Sequence, residues 1–217
     1  SIGRFVEVYD ELGKNGDSVI SIQMMRSISG TVDAARQAAD ITETNVTVVD
    51  SDFTSRSMGM IVKEAAKAAQ EGKTVEEILE IVEDAKKRTT LYLTVVNLDN
   101  LIKGGRISQV MGMFSNLLNI KLFLQVINGK IEIIQKGRGL KSLQKKYDEI
   151  FEQMKAAPNG IQEIGIMHAG LSDFNEGNIA RVRELFPDVP LTIVTTSPII
   201  MSHTGVDAMA ITYLENK

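Results

Sequence analysis

The sequence contains no cysteine, no tryptophan and only two histidines among its 217 residues. Without cysteine, neither a disulfide nor a thiolate zinc site can form. No apolar stretch is long enough to span a bilayer, and the start, SIGRFVEVYDELG, has no apolar signal region. His168 and His203 have no carboxylate at metal-binding spacing. We therefore expect a cytoplasmic protein with no metal, no other cofactor and no stable membrane anchor.

The charge is small overall but unevenly distributed. The formal net charge of −4 argues against a general nucleic-acid-binding protein. Residues 103–146, however, hold nine basic groups and one acidic group. Such a concentration favours a face that meets an anion or an acidic partner, and the alternative is a solvated face that keeps the protein soluble. The basic residues are Lys103, Arg106, Lys121, Lys130, Lys136, Arg138, Lys141, Lys145 and Lys146.

The first part of the chain alternates between strand and helix patterns. Apolar runs at 17–24, 45–51 and 90–96 predict strands, and amphipathic stretches of ten or more residues between them predict helices. This alternation predicts a mostly parallel sheet covered by helices in three layers. We assign residues 1–95 to this N-terminal α/β domain.

The pattern changes after residue 96. The segment LFLQVINGKIEIIQ predicts a hairpin whose turn is Asn128-Gly129, a dipeptide typical of type I′ turns. An amphipathic helix, further strands and one more helix follow, and AMAITYL predicts the last strand. We therefore assign residues 96–217 to a second α/β domain with a mixed sheet, in which His203 lies in a loop before the last strand.

Hydroxyl groups occur where the first strand gives way to a helix, in SISGT at 27–31. Ligands of open α/β sheets bind at the carboxyl ends of strands, and the start of a helix offers amides and a favourable dipole to an anion. Ser29 and Thr31 are therefore candidates to bind a carboxylate or phosphate. The alternative is that Ser29 only caps the helix.

An imidazole and a hydroxyl occur together in SHTG, as His203 and Thr204. With a serine they form a set of uncharged or switchable donors, which suits a carboxylate at the end of an apolar cavity because a buried permanent charge carries a larger desolvation penalty. One alternative is a structural histidine. Another is a Ser/His hydrolase acting on acyl esters, although no G-x-S-x-G motif is present and Asp50 is the only candidate third member.

Two further segments have a functional and a simple structural interpretation. KGGRIS at 103–108 suits an anion-binding nest with Arg106 as a clamp, or an ordinary turn. VMGMFSNLLNIKLFL is rich in flexible apolar side chains, which line irregular cavities or fill an ordinary core. Neither a Walker motif nor a G-x-G-x-x-G loop after a strand occurs.

These motifs together resemble the DegV family, which includes the fatty-acid-binding subunits of bacterial fatty acid kinases. SIGRF is similar to the family's P-S-x-G-x-F, SISGT to S-x-L-S-G-T, and VVDSDFTSRSMGM to V-D-S…S-x-G. IKGGRIS is similar to K-x-G-G-R-I and MSHTG to x-x-H-T-G. The resemblance covers nearly the whole chain, and five motifs in the same order make it specific.

The resemblance implies a two-domain α/β fold with a long-chain fatty acid buried between the domains. It implies that Ser29 and His203 bind the carboxylate and that Thr204 matches the adjacent threonine of the family. The protein would then be a binding subunit without catalytic activity, which presents the acid to a separate ATP-dependent kinase. Arg106 and Arg138 would contact that partner or the phosphate, and a scaffold or regulator acting through the basic face is a further hypothesis.

The sequence departs from the family pattern in several places. The opening strand and helix with D-S-x-x-D are missing, so we expect a fragment whose first domain lacks a strand and a carboxylate-binding threonine. The family's H-T-G-P-G is replaced by a segment that ends in Asp207. A second carboxylate close to that of the ligand is unfavourable, and we expect Asp207 to influence ligand preference.

Overall fold

The computed structural model describes residues 1–105 and 120–217. The chain divides into two compact units. The first unit comprises Ser1–Lys87 and Asn128–Lys130, and the second comprises Arg88–Ile127 and Ile131–Lys217. Helices and strands occur in both units, which confirms the α/β fold class predicted from the sequence.

The first unit contains a parallel pair of strands, β1 (Val19–Gln23) and β2 (Val46–Asp50). Their register places Gln23 opposite Asp50, so the segments that follow the two strands start side by side. This arrangement places the SISGT segment, which follows β1, next to the segment that follows β2. The helices of this part of the chain are α1 (Ile2–Gly13), α2 (Thr31–Ala39), α3 (Ser55–Gln70) and α4 (Val75–Arg88).

Local sequence signals account for where these helices lie. Helix α2 buries Val32, Ala35 and Ala38, which recur at helical spacing on one face. Helix α4 begins with a capping box, in which the Thr74 amide donates to Glu77 Oε2 at 2.7 Å and the Glu77 amide donates to Thr74 Oγ1 at 3.3 Å. Apolar spacing therefore accounts for the buried face of α2, and a side-chain cap accounts for the start of α4.

The second unit is built on a mixed six-stranded sheet with the order β5-β4-β3-β8-β6-β7. Strands β6 and β7 are parallel, whereas β3 is antiparallel to both of its neighbours. The strands are β3 (Thr89–Val95), β4 (Ile120–Ile127), β5 (Lys130–Arg138), β6 (Ile161–His168), β7 (Leu191–Thr195) and β8 (Met209–Glu215). The described helices of this unit are α5 (Asp99–Lys103), α6 (Leu140–Lys155), α7 (Asp173–Leu185) and α8 (Pro198–Thr204).

Strand β3 lies in a different sheet from the one that the sequence analysis gave it. The predicted domain of residues 1–95 assigned β3 to the mostly parallel sheet, whereas the structure places it between β4 and β8 and divides the chain at Lys87/Arg88. Leu91, Tyr92 and Val95 are buried, and they point to both faces of the strand. A strand buried on both faces suits the middle of a sheet, where neighbours cover both of its edges.

The core of the second unit lies on both faces of its sheet. On one face, Phe123, Met209 and Ile211 pack against buried side chains of α6 and α7. The other face carries a smaller cluster that includes a residue of α5. Its buried members are Val95, Leu98, Leu101, Leu122 and Leu124. Helix α5 is therefore fixed to the sheet by apolar packing, although it has only five residues.

A buried hydroxyl pair is satisfied within the larger cluster. Thr94 Oγ1 lies 3.0 Å from the hydroxyl of Tyr147 and also donates to the Met209 carbonyl at 3.0 Å. Because Thr94 uses its own proton on the carbonyl, the hydroxyl of Tyr147 donates to Thr94. Burial raises the pKa of the Tyr147 hydroxyl far above its ordinary value. Tyr147 is therefore neutral in the core, with its one donor in use.

Candidate functional site

His203 and Thr204 are the last two residues of helix α8. The sequence analysis predicted a loop here, and that prediction was wrong. Ser197 accepts a hydrogen bond from the Ile200 amide at 3.4 Å and caps the helix, and Pro198 occupies its first turn. Gly205 ends the helix with φ 79°, a left-handed conformation that glycine adopts without strain. A start signal and a stop signal therefore enclose a helix of seven residues.

Thr204 is buried and uses its hydroxyl within α8. Its Oγ1 donates to the Ile200 carbonyl at 3.1 Å, one turn earlier. The proton that the sequence analysis assigned to a ligand is therefore directed to the helix itself. This bond to the carbonyl four residues earlier occupies the hydroxyl proton within the helix.

The imidazole of His203 is half-buried and lies against the turn that follows α5. Its Nδ1 atom is buried and has no hydrogen-bond partner in residues 1–105 and 120–217. In a Ser-His-Asp triad this nitrogen donates to a carboxylate, which holds the ring and stabilises its charged form. No such carboxylate pairs with His203 in the described part of the chain, so the geometry does not favour the hydrolase alternative.

Ser29 and Thr31 lie together at the beginning of α2. Their hydroxyl oxygens are 2.7 Å apart, and the Thr31 amide donates to Ser29 Oγ at 3.3 Å. Ser29 is not the helix cap that was considered for it, because Gly30 occupies the cap position and accepts the bond from the Ala34 amide. The two hydroxyls share one hydrogen bond, so one of their two protons remains available to an acceptor.

Asp50 anchors the segment that carries Ser29. It is the last residue of β2, and its two carboxylate oxygens accept hydrogen bonds from the amides of Arg26 at 3.1 Å and Asp52 at 2.9 Å. The sequence suggested Asp50 only as a member of a catalytic triad, and this role was missed. An aspartate at the end of a strand, where turns begin, was the available signal.

The segment after β2 contains two residues in the left-handed region, Asp52 at φ 59° and Ser55 at φ 54°. Such conformations cost free energy in residues other than glycine and are concentrated at functional sites. Asp52 also pairs with Lys86 at 2.7 Å. Burial lowers the pKa of the Lys86 amine, but hydrogen bonds to Asp52 and Glu83 outweigh it and leave the pKa raised. This ion pair therefore helps to hold the strained segment in place.

Asp207 lies in the connection between α8 and β8, with φ 63°. Its carboxylate lies against Gly170, where an ideal Cβ would be 3.0 Å from Asp207 Oδ1. Asn175 is fully buried, and its Nδ2 donates to the carbonyls of Gly170 at 3.0 Å and Asp207 at 3.2 Å. Asn175, which sequence reasoning missed, therefore joins the connection after β6 to the connection after α8. The influence of Asp207 on ligand preference stays a prediction.

The basic residues proposed for partner contact are only partly described. Arg138 is the last residue of β5 and is exposed, whereas Arg106 lies outside the described residues. Lys136 is also exposed and lies two positions before Arg138, so both side chains leave the same face of the strand. We call Lys136 and Arg138 the basic face of β5.

Two further features bear on the kind of site. No group of three or more metal-ligating side chains comes together in residues 1–105 and 120–217. In those same two ranges, every helix is too short or too polar to cross a bilayer.

Comparison with known proteins gives a family match over almost the whole chain. The model of a family described as "Uncharacterised protein, DegV family" matches residues 1–216. A DegV domain-containing protein of Streptococcus pneumoniae is 41% identical over 210 residues, which are 97% of this chain and 74% of the relative. A DegV domain-containing protein of Listeria innocua is 39% identical over 214 residues, which are 98% of this chain and 76% of the relative.

Solved structures with the same fold cover the whole chain. The crystal structure of DegV from Bacillus subtilis, described as a fatty acid binding protein, has a TM-score of 0.87 at 27% identity and is covered over 77% of its length. A DegV family protein from Thermus thermophilus, described by its fatty acid binding, has a TM-score of 0.82 at 29% identity and is also covered over 77%.

Proposed function

The chain belongs to the DegV family, and on this premise we propose that it binds a long-chain fatty acid without catalysing a reaction on it. The observation that carries the proposal is the whole-chain structural similarity to the Bacillus subtilis protein described as a fatty acid binding protein. The similar protein from Thermus thermophilus, also described by fatty acid binding, supports the same ligand class.

We propose that Ser29 and His203 bind the carboxylate of the acid. The hydroxyl pair of Ser29 and Thr31 supports this role, because one of its two protons is available to an acceptor. The half-buried imidazole of His203, whose Nδ1 is enclosed, supports a contact through the other ring nitrogen. Thr204 Oγ1 already donates its proton to the Ile200 carbonyl, so we assign Thr204 this contact within α8 ahead of any contact with the ligand.

The decisive experiment is mass spectrometry of lipid extracted from the purified protein. We expect a long-chain fatty acid to be released, and we expect delipidated protein to bind an added acid. The methyl ester of the same acid is the matched control, because it keeps the alkyl chain and removes the charged group. We expect the ester to bind more weakly by about tenfold or more, as charge-assisted hydrogen bonds are lost.

Two results would oppose this proposal. Protein that releases no acyl chain and binds none when it is added is not a fatty-acid carrier. Equal affinity for the acid and its methyl ester would show that an apolar cavity alone accounts for binding, and that no carboxylate site exists.

We further propose that the bound acid is presented to a separate ATP-dependent kinase, which the basic face of β5 contacts. Exposed Lys136 and Arg138 on one face of a strand support an acidic partner surface or a phosphate. We expect the charge reversal Arg138→Glu to abolish or strongly weaken co-purification of the kinase subunit, because it would place two like charges across the interface. Lys155→Glu, which removes a cation already paired with Glu152 of its own helix, is the control.

The fatty-acid content of these variants separates the two proposals. Arg138→Glu should keep its bound lipid, because Arg138 has no part in the proposed carboxylate site. Kinase capture that persists in this variant while Lys155→Glu lowers it would place the partner on another surface.

A further inference from the structure

The turn after α5 leaves room for His203 only because residue 104 is a glycine. An ideal Cβ on Gly104 would overlap Nδ1 of His203 and would lie 3.1 Å from its Cε1 atom. The backbone of Gly104 is in an ordinary right-handed conformation, with φ −77° and ψ −4°. Any residue could adopt that conformation, so glycine is required here for space rather than for its backbone freedom.

Asn100, which lies in α5 one turn before Gly104, also contacts the C-terminal end of α8. Its Nδ2 donates to the carbonyl of Ser202 at 3.0 Å, and an ideal Cβ on Gly205 would lie 3.4 Å from its Oδ1. Asn100 therefore bonds to the main chain just before His203 and lies near Gly205, just after Thr204. The Gly104 amide donates to the Asn100 carbonyl at 2.8 Å, which joins the two contacts into one structural element.

These contacts decide which ring nitrogen of His203 is available. Nδ1 faces Gly104, is buried and finds no partner in the described ranges, so it cannot serve a ligand without displacing the turn. Nε2 lies on the opposite side of the five-membered ring and is the nitrogen that remains. A ring enclosed on one side also keeps one orientation before any ligand arrives, which reduces the ordering that binding requires.

We propose that Asn100 and Gly104 are positioning residues that fix the His203 ring and direct its Nε2 atom to the ligand. The ring orientation follows from these contacts alone, whereas its use on a carboxylate rests on the proposed function. Neither residue touches the ligand in this proposal. Asn100 sets the position of the helix end, and Gly104 sets the rotation of the imidazole.

The test combines a spectroscopic measurement without ligand and a binding measurement. The protein has only two histidines, so nitrogen-15 NMR can resolve their imidazole resonances. The set of resonances that disappears in His203→Gln belongs to His203, and the set that remains belongs to His168. We expect Gly104→Ala to shift the His203 ring resonances in ligand-free protein and to weaken fatty-acid binding by about tenfold, or ~1.4 kcal/mol. Gly177→Ala in α7, where an added Cβ meets nothing within 4 Å, should change neither.

A second pair of variants tests the hydrogen bond. We expect Asn100→Ala to shift the His203 resonances and to weaken binding by a few fold, because Ser202 loses its side-chain donor. Asn216→Ala is matched to it, since Nδ2 of Asn216 donates to the carbonyl of Asn159 at 2.8 Å, and should leave both measurements unchanged. This pair carries the test if Gly104→Ala does not fold.

The outcomes distinguish this inference from the proposed function. Unchanged His203 resonances in Gly104→Ala and Asn100→Ala would overturn the positioning role, whatever the protein binds. Shifted resonances with unchanged affinity would overturn the direction of Nε2 to the ligand. Shifted resonances in a protein that binds no fatty acid, even as wild type, would support the positioning role and refute the proposed function.

Discussion

Replacing Phe151 by alanine is expected to lower the free energy of unfolding of the second unit by about 3–5 kcal/mol. Phe151 is completely buried in the larger cluster, between α6 and the sheet. The centroid of the Phe151 ring lies 5.8 Å from that of Tyr147. The guanidinium carbon of Arg181, in α7, lies 5.3 Å from the same Phe151 centroid. Removal of the ring therefore forfeits apolar burial, an aromatic contact and a cation–π contact, and leaves a cavity.

Chemical denaturation with hydrogen exchange read by mass spectrometry measures this effect and locates it. The exchange of β3, β6 and β8 should accelerate in Phe151→Ala, because those strands share the cluster. Phe151→Leu should lose much less, as it keeps most of the apolar volume. Phe5→Ala is the positional control, because Phe5 is half-buried beside Tyr9 of the first unit. A loss below about 1 kcal/mol in Phe151→Ala would mean that the cluster collapses around the cavity.

Features of the fold with local signals could be predicted from the sequence. The Asn128-Gly129 turn has positive φ at both residues, 50° and 69°, as its dipeptide predicts. The parallel pairing of β1 with β2 is confirmed in the same way, and the capping box at Thr74 and Glu77 is a signal of the same local kind. In the turn and the capping box, the residues that give the sequence signal also form the local structure. For the strand pair, the alternation of strands and helices restricts the topology.

The neighbours of β3 could not be predicted by the same reasoning. Thr89 pairs with Leu214 and Tyr92 with Gln125, so both partners of the strand lie far away along the chain. Apolar runs predict that a strand exists and is buried, but they contain no information on which strand will lie beside it. The division of the chain at Lys87/Arg88 follows from this non-local pairing.

The candidate site shows the same limit at the level of side chains. Ser197, Pro198 and Gly205 signal a helix, yet seven residues are too few to show a helical period, so the pattern predicts a loop here. The contact of Gly104 with His203 joins residues about a hundred positions apart. Sequence reasoning selected the imidazole because its chemistry suits a carboxylate, but the residues that orient it become visible only in the folded chain.

Ser29→Ala and His203→Ala are each expected to weaken fatty-acid binding by about 1–3 kcal/mol, or roughly 5- to 150-fold. In the proposed site, each substitution removes a donor and leaves part of the ligand carboxylate without a hydrogen bond. Titration calorimetry of delipidated protein measures both effects. Ser202→Ala is the control for α8, because the hydroxyl of Ser202 donates to the Ile199 carbonyl beside His203. His168→Gln is the control for loss of an imidazole.

The double variant tests whether Ser29 and His203 serve one carboxylate. When two residues contact the same carboxylate, the losses of binding free energy are coupled, typically by about 0.5–3 kcal/mol. The losses of two independent residues simply add. We expect the double variant to lose less affinity than the two single losses combined, because a carboxylate released by one residue is already poorly held by the other. Strictly additive losses would mean that the two residues act separately. Unchanged affinity in both single variants would refute their assignment to the carboxylate.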